Sequence, residues 1–129
     1  MHVDLTIVLD NHPGAVANVC QSIGRAGVNI EGLCAFASSG IGILHTAVND
    51  VTPARRAVEA AGYKISEERE VIIVDIEDRP GSAGAMLRHF GDAQVNLDLV
   101  YFATQNRMVV SAPDLDKAKK ALESHPGQG

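Results

Sequence analysis

The sequence predicts an α+β chain built from two β-α-β-β-α-β units, the second one strand short. Two observations carry this reading. A hydrophobic strand followed by a Pro-Gly step occurs twice, as Ile7 through Gly14 and as Val74 through Gly81, 67 positions apart. The same offset relates Gly24 to Gly91, Ala26 to Ala93, and Val28-Asn29-Ile30 to Val95-Asn96-Leu97. An offset shared by separate features marks an internal duplication. The second observation is that strand-period and helix-period apolar patterns follow one another in the same order in both halves. The boundaries fall at residues 1–69 and 70–129.

Each element has its own signal. His2 to Leu9 alternates, with Val3, Leu5, Ile7 and Leu9 on one face and Asp4, Thr6 and Val8 on the other, which predicts a strand with one buried side. Pro13 suits the first turn of a helix, where a missing N–H costs nothing. Val16, Val19, Cys20 and Ile23 give that helix its apolar stripe, and Gly27 ends it. Strands follow over Val28 to Phe36 and Ile43 to Val48, joined by a turn at Ser38-Ser39-Gly40. Thr52-Pro53 reads as a cap and first helical position, with Ala54, Ala57, Val58 and Ala61 facing inward. Tyr63 to Glu67 completes the first unit as a short strand.

The second unit repeats the order: strand Val71 to Glu77, helix Pro80 to Gly91, strands Val95 to Ala103 and Met108 to Ala112, and helix Asp114 to Glu123. Ser124 to Gly129 is too short and turn-like for another strand. The segment Tyr63 to Glu67 is expected to turn at Glu68-Arg69 and pair with Val71 to Glu77 as a hairpin, or else that strand presents an edge to another protomer. The expected cores are Leu5, Ile7, Val16, Ile23, Ile30 and Cys34 in the first unit, and Ile72, Val74, Phe90, Leu97 and Tyr101 in the second.

Composition narrows the function. Eleven Lys and Arg against sixteen Asp and Glu give a net charge of -5, which disfavours a nucleic-acid partner. Aromatic residues make up 4% and provide no stacking platform for single strands. No apolar run reaches the ~18 residues of a membrane span, and the N-terminus lacks signal-peptide character. The expectation is a cytoplasmic protein with no membrane partner. Cys20 and Cys34, matched by Leu87 and Tyr101 in the second half, read as reduced core thiols. The five histidines lack metal-ligand spacing, and His45 reads as a surface residue of its strand. No nucleophile with a base, phosphate loop or cofactor motif is visible, so no enzyme activity and no cofactor are expected.

The candidate site is the Pro-Gly turn. Helix N-termini carry unpaired N–H groups and a partial positive charge that suit a carboxylate. Gly14 and Gly81 permit close approach of a ligand to backbone. Asn11 offers both donor and acceptor to a group bearing ammonium and carboxylate.

The two motifs, Asp10-Asn11-His12-Pro13-Gly14 with Gly27-Val28-Asn29-Ile30 and Glu77-Asp78-Arg79-Pro80-Gly81 with Gln94-Val95-Asn96-Leu97, resemble those of the ACT domain. This is the regulatory module that binds amino acids in enzymes such as phosphoglycerate dehydrogenase and aspartate kinase. The resemblance covers essentially the whole chain and implies two ferredoxin-like βαββαβ repeats with both helices of each on one sheet face. It implies ligand sites in which the turn of one domain faces the start of the second strand of its neighbour. One site would join Asn11, His12, Pro13, Gly14 and Ala15 to Asn96, the other Asp78, Pro80 and Gly81 to Asn29. Asp78 stands where the first copy has an amide, so the Asn11 site is expected to bind better.

The resulting expectation is a non-catalytic regulatory protein that binds a small amino acid, forms a homodimer and signals to a partner such as a metabolic enzyme. The alternative is a ligand-free interaction and oligomerisation module, favoured by apolar residues on both faces of the second strand of each half.

Overall fold

The computed structural model describes residues 1–124. The chain is a mixed α+β fold that divides into two units, Met1–Glu70 and a second beginning at Val71. In the first, strand β1 (His2–Asp10) leads into helix α1 (Ala15–Arg25), strands β2 (Gly32–Ser38) and β3 (Ile41–Val48), helix α2 (Val51–Ala60) and the first part of β4 (Lys64–Asp75). The second unit takes the rest of β4, then α3 (Ser82–Asp92), β5 (Leu99–Ala103), β6 (Arg107–Ser111) and α4 (Leu115–Glu123). The expected lack of a strand after α4 concerns residues that lie mostly outside the described ones.

β4 departs from expectation. Lys64–Asp75 is one uninterrupted strand, with no turn at Glu68-Arg69 and hence no hairpin. The charged run Glu67 to Glu70 lacks Gly, Pro or Asn, the residues that would bend it. Arg55 Nε and Nη2 grip both Glu68 carboxylate oxygens at 2.6 and 2.7 Å, a fork that ties α2 to this strand.

Within the first unit β3 is central, paired antiparallel to both β1 and β2. The beginning of β4 runs beside β1, where Ser66 Oγ donates to the Thr6 carbonyl at 3.3 Å. Leu5, Ile7, Leu44 and Val48 from the sheet meet Val19, Ile23 and Val58 from the helices, all without exposed surface. Each such side chain contributes roughly 1.5–3 kcal/mol by leaving water. Ile30 and Cys34, both expected in this core, are only half-buried, and Val16 is 37% exposed. Val16 sits in the first turn of α1, above the sheet's end rather than over its centre.

β1 is buried on both faces, contrary to the one-sided reading. Asp4 has no exposed surface and Thr6 is buried with it. The Asp4 carboxylate lies 2.9 Å from His45 Nδ1 and accepts from Thr6 Oγ1 at 3.2 Å. His45 is therefore no surface residue. Its ring also stacks on Phe36, with centroids 6.3 Å apart and planes 27° from parallel.

In the second unit β6 is central between β4 and β5. Val74, Met108 and Val110 meet Met86, Phe90, Ala118 and Ala121. Tyr101 is buried, while Ile72 and Leu97 are half-buried. α4 is capped by Asp114, which accepts from the Lys117 N–H at 3.1 Å. α2, by contrast, begins at Val51 with Asp50 before it and no side-chain cap, so Thr52 lies inside the helix rather than ahead of it.

The pairing registers of the units correspond. Leu5 faces Thr46 and Ile72 faces Val110; Cys34 faces His45 and Tyr101 faces Val109. The first two strands of each unit thus match at an offset of 67 and the third at 64, so the second hairpin is three residues shorter.

Candidate functional site

The two Pro-Gly turns are built alike. In the first, the His12 N–H donates to Asp10 O at 2.9 Å, Ala15 N–H to His12 O at 3.3 Å, and Asn18 N–H to Gly14 O at 2.8 Å. In the second, Arg79 donates to Glu77 at 3.0 Å, Ser82 to Arg79 at 3.2 Å, and Ala85 to Gly81 at 2.9 Å. Gly14 and Gly81 are the helix N-caps, at φ 89° and 90°. That left-handed conformation is open to glycine and strained for residues with a Cβ. The prolines therefore precede the helices, two positions before the first helical residues Ala15 and Ser82 rather than in the first turn expected of them.

Each turn walls a cleft within its own unit. The first, about 200 Å³, is lined by Leu9, Asp10, Asn11, His12, Ala15, Val16, Ala35, Phe36, Ala37 and Gly42. The second, about 350 Å³, includes Ile76, Glu77, Asp78, Arg79, Gly81, Ser82, Phe102, Ala103, Asn106 and Arg107. Most of these positions correspond. Ala35 matches Phe102 and Phe36 matches Ala103 at the offset of 67, and Gly42, opposite Leu9, matches Asn106, whose carbonyl accepts from Ile76 N–H at 2.9 Å.

The chemistry of the two clefts differs. The first is lined mainly by small and apolar side chains. Asn11 and His12 are exposed at its rim, and the His12 ring contacts Pro13 O at 2.9 Å. In the second, Arg79 pairs with Glu77, and the Ser82 hydroxyl donates to the Glu77 carbonyl. Arg107 is anchored by donating to Thr104 O and Oγ1, both at 2.9 Å. Among the described residues, neither Asp78 nor Asn106 makes a side-chain hydrogen bond or ion pair. The sequence had pointed to the Asn11 turn; Phe102, Asn106 and the larger volume of the second cleft lay in hairpin residues that carry no motif.

Asn29 and Asn96 do not line the cleft of their own unit. Asp10 faces Ile41, which faces Ser38 at the end of β2, so the turn lies at the far end of the sheet from the start of β2. Asn29 sits at that opposite end, where its amide donates to Glu31. No group of three or more His, Cys, Asp or Glu is placed to hold a metal among the described residues. No helix among them is long and apolar enough to cross a membrane.

No protein-family model matches the chain, and no curated protein matches it. Solved structures do. A protein from Bacteroides thetaiotaomicron aligns with a TM-score of 0.80 at 23% identity, over 94% of this chain and 85% of that one. The ligand-free regulatory subunit of aspartate kinase from Thermus thermophilus aligns at 0.74 with 17% identity, over 95% and 88%. The corresponding subunit from Thermus flavus aligns at 0.67 with 16% identity, over 93% and 89%. With its two Pro-Gly turns and the strand and helix order that follows each, the chain has the ACT fold of these regulatory subunits.

Proposed function

We propose that this chain is a tandem ACT protein with no catalytic role, which binds an amino acid at its Pro-Gly turns and passes the signal to a partner. The observation that carries the reading is the pair of clefts, each walled by an equivalent turn with glycine in the left-handed region. A helix start offers its first-turn N–H groups to a carboxylate, and a rim side chain, Asn11 or Asp78, takes the ammonium. The ligand acts by stabilising one conformation over another, which requires only differential affinity. The site residues are Asn11, His12, Pro13, Gly14 and Ala15 at the first turn and Asp78, Pro80 and Gly81 at the second. Asn29 and Asn96 are assigned to turns other than those of their own units. The proposed partners are a second copy of the chain and a metabolic enzyme; sedimentation showing only monomer at tens of micromolar, roughly the range of transient interfaces, would remove the homodimer.

A thermal-shift screen with the twenty amino acids tests the reading, because a ligand that binds the native state alone raises apparent stability by mass action. A shift with one or a few amino acids is the expected result, and no shift at millimolar concentration would overturn it. The second reading, an interaction module without ligand, has its own observation. Phe36 and Ile41 are each about half exposed and Phe102 is 65% exposed, more apolar surface than these small units need to leave in water.

A further inference from the structure

Resting on the amino-acid reading above, we infer that the cleft of the second unit selects an α-amino acid with a bulky apolar side chain, its ammonium held by Asp78 and its side chain by Phe102. Its volume of about 350 Å³, against about 200 Å³ for the first cleft, leaves more room for a large side chain.

Phe102 is the feature that sets the second cleft apart. It faces Met108, which is buried in the core, so it projects from the helix-bearing side of β5, yet the residue is 65% exposed. A large apolar ring left in water on the wall of a concave site offers area to an apolar ligand, and to little else. The first unit has Ala35 at this place.

The charges point the same way. Glu77 is neutralised by Arg79, which leaves the Asp78 carboxylate, without a partner among the described residues, to meet an ammonium. The Glu77–Arg79 pair, closed on itself, leaves neither charge free for a ligand side chain. The Ser82 hydroxyl is committed to the Glu77 carbonyl and does not ask for a polar side chain. The Asn106 amide, donor and acceptor both, also lines the cleft and would serve the ligand's carboxylate together with the first turn of α3.

Calorimetric titration of the full chain with glycine, leucine, phenylalanine and 3-phenylpropionate, which lacks the ammonium, tests the inference. Leucine and phenylalanine should bind about tenfold or more tighter than glycine, the discrimination a few methylene groups give in an apolar site. Phe102→Ala should erase most of that gap without weakening glycine. Asp78→Asn should weaken phenylalanine severalfold and leave 3-phenylpropionate unweakened. Both side chains are exposed, so an unchanged melting temperature of each ligand-free variant certifies its fold. Glycine binding as tightly as leucine, or a gap that survives Phe102→Ala, overturns the selectivity and leaves the amino-acid reading standing. Absence of binding by any of the twenty amino acids overturns that reading and the selectivity with it.

Discussion

The Asp4 carboxylate, with no surface exposed to solvent, lies 2.9 Å from His45 Nδ1 on the neighbouring strand. A carboxylate taken fully out of water needs such partners, because the cost of desolvating it exceeds what one ordinary hydrogen bond returns. Thr6 adds a second contact from the same strand, at 3.2 Å to the carboxylate and 3.3 Å to the imidazole. The cluster fixes the register of β1 on β3, since a slip by one residue would turn Asp4 toward the apolar core.

His45→Ala should therefore destabilise the protein by about 3 kcal/mol, because it strips a partner from a buried charge. Asp4→Asn, which keeps a hydrogen-bonding group in place, should cost less. Urea denaturation of the two variants checks the order; a His45→Ala midpoint indistinguishable from the parent would show that the pair contributes nothing.

The glycines give a second set. Gly14→Ala and Gly81→Ala place a Cβ in open space but at φ near 90°, so each should cost roughly 1–2 kcal/mol through backbone strain alone. Gly42→Ala is different in kind. Its backbone is unremarkable, yet the new Cβ would sit 3.0 Å from Leu9 Cβ, inside normal contact, and overpacking of this sort costs about 1–3 kcal/mol. D-alanine at position 14, introduced by chemical synthesis, should restore the stability lost in Gly14→Ala, because its mirror-image stereochemistry suits a positive φ.

Much of this was legible in the sequence, and the failures have physical causes. The order of elements, the turns and most core positions of β1, α1 and α3 follow from periodicity and from Pro-Gly punctuation. The two-sided burial of β1 did not, because Asp4 and Thr6 look like solvent-facing residues until His45 supplies a partner 41 positions away. The unbroken β4 was misread because Glu67 to Glu70 is polar, although polarity without a turn residue does not bend a strand. The turn motifs pointed to Asn11 and Asp78, which line the two clefts, but the far walls of both come from hairpins whose residues differ between the halves. Phe102 matches Ala35 at the offset of 67, but nothing in the sequence marks that position as the wall of a cleft.

Acid should loosen the tie between α2 and β4. The hydrogen bond from Arg55, with its positive charge, holds the Glu68 carboxyl below its ordinary pKa. The contribution is complete above the unfolded glutamate's pKa of about 4.3 and fades as the pH falls through the lower, folded value. Glu68→Gln should lower the melting temperature slightly at pH 7, and the gap between variant and parent should close below about pH 4. The pair is largely exposed, so the effect is small and shrinks further in high salt. A gap that persists unchanged at pH 3 would mean that the ion pair is not its source.

The turns themselves provide the last prediction. In the first cleft, Asn11→Ala removes one hydrogen bond to a bound amino acid, worth roughly 0.5–1.5 kcal/mol, and should weaken binding there severalfold. Asn96→Ala should weaken the same event if the turn is completed by the start of a second strand, as the ACT resemblance implies. The carboxylate is expected against the backbone that follows Gly14 or Gly81, so the matching amine, with its carboxylate removed, should bind far more weakly at either turn. This separates the helix-start mechanism from recognition of the ammonium alone. Asp78 and Phe102 can hold an amine by charge and apolar contact, whereas the first turn of α3, with the Asn106 amide, distinguishes it from the amino acid. If isopentylamine titrates with the affinity of leucine, the helix starts take no part in binding, and Gly14 and Gly81 serve only to turn the chain.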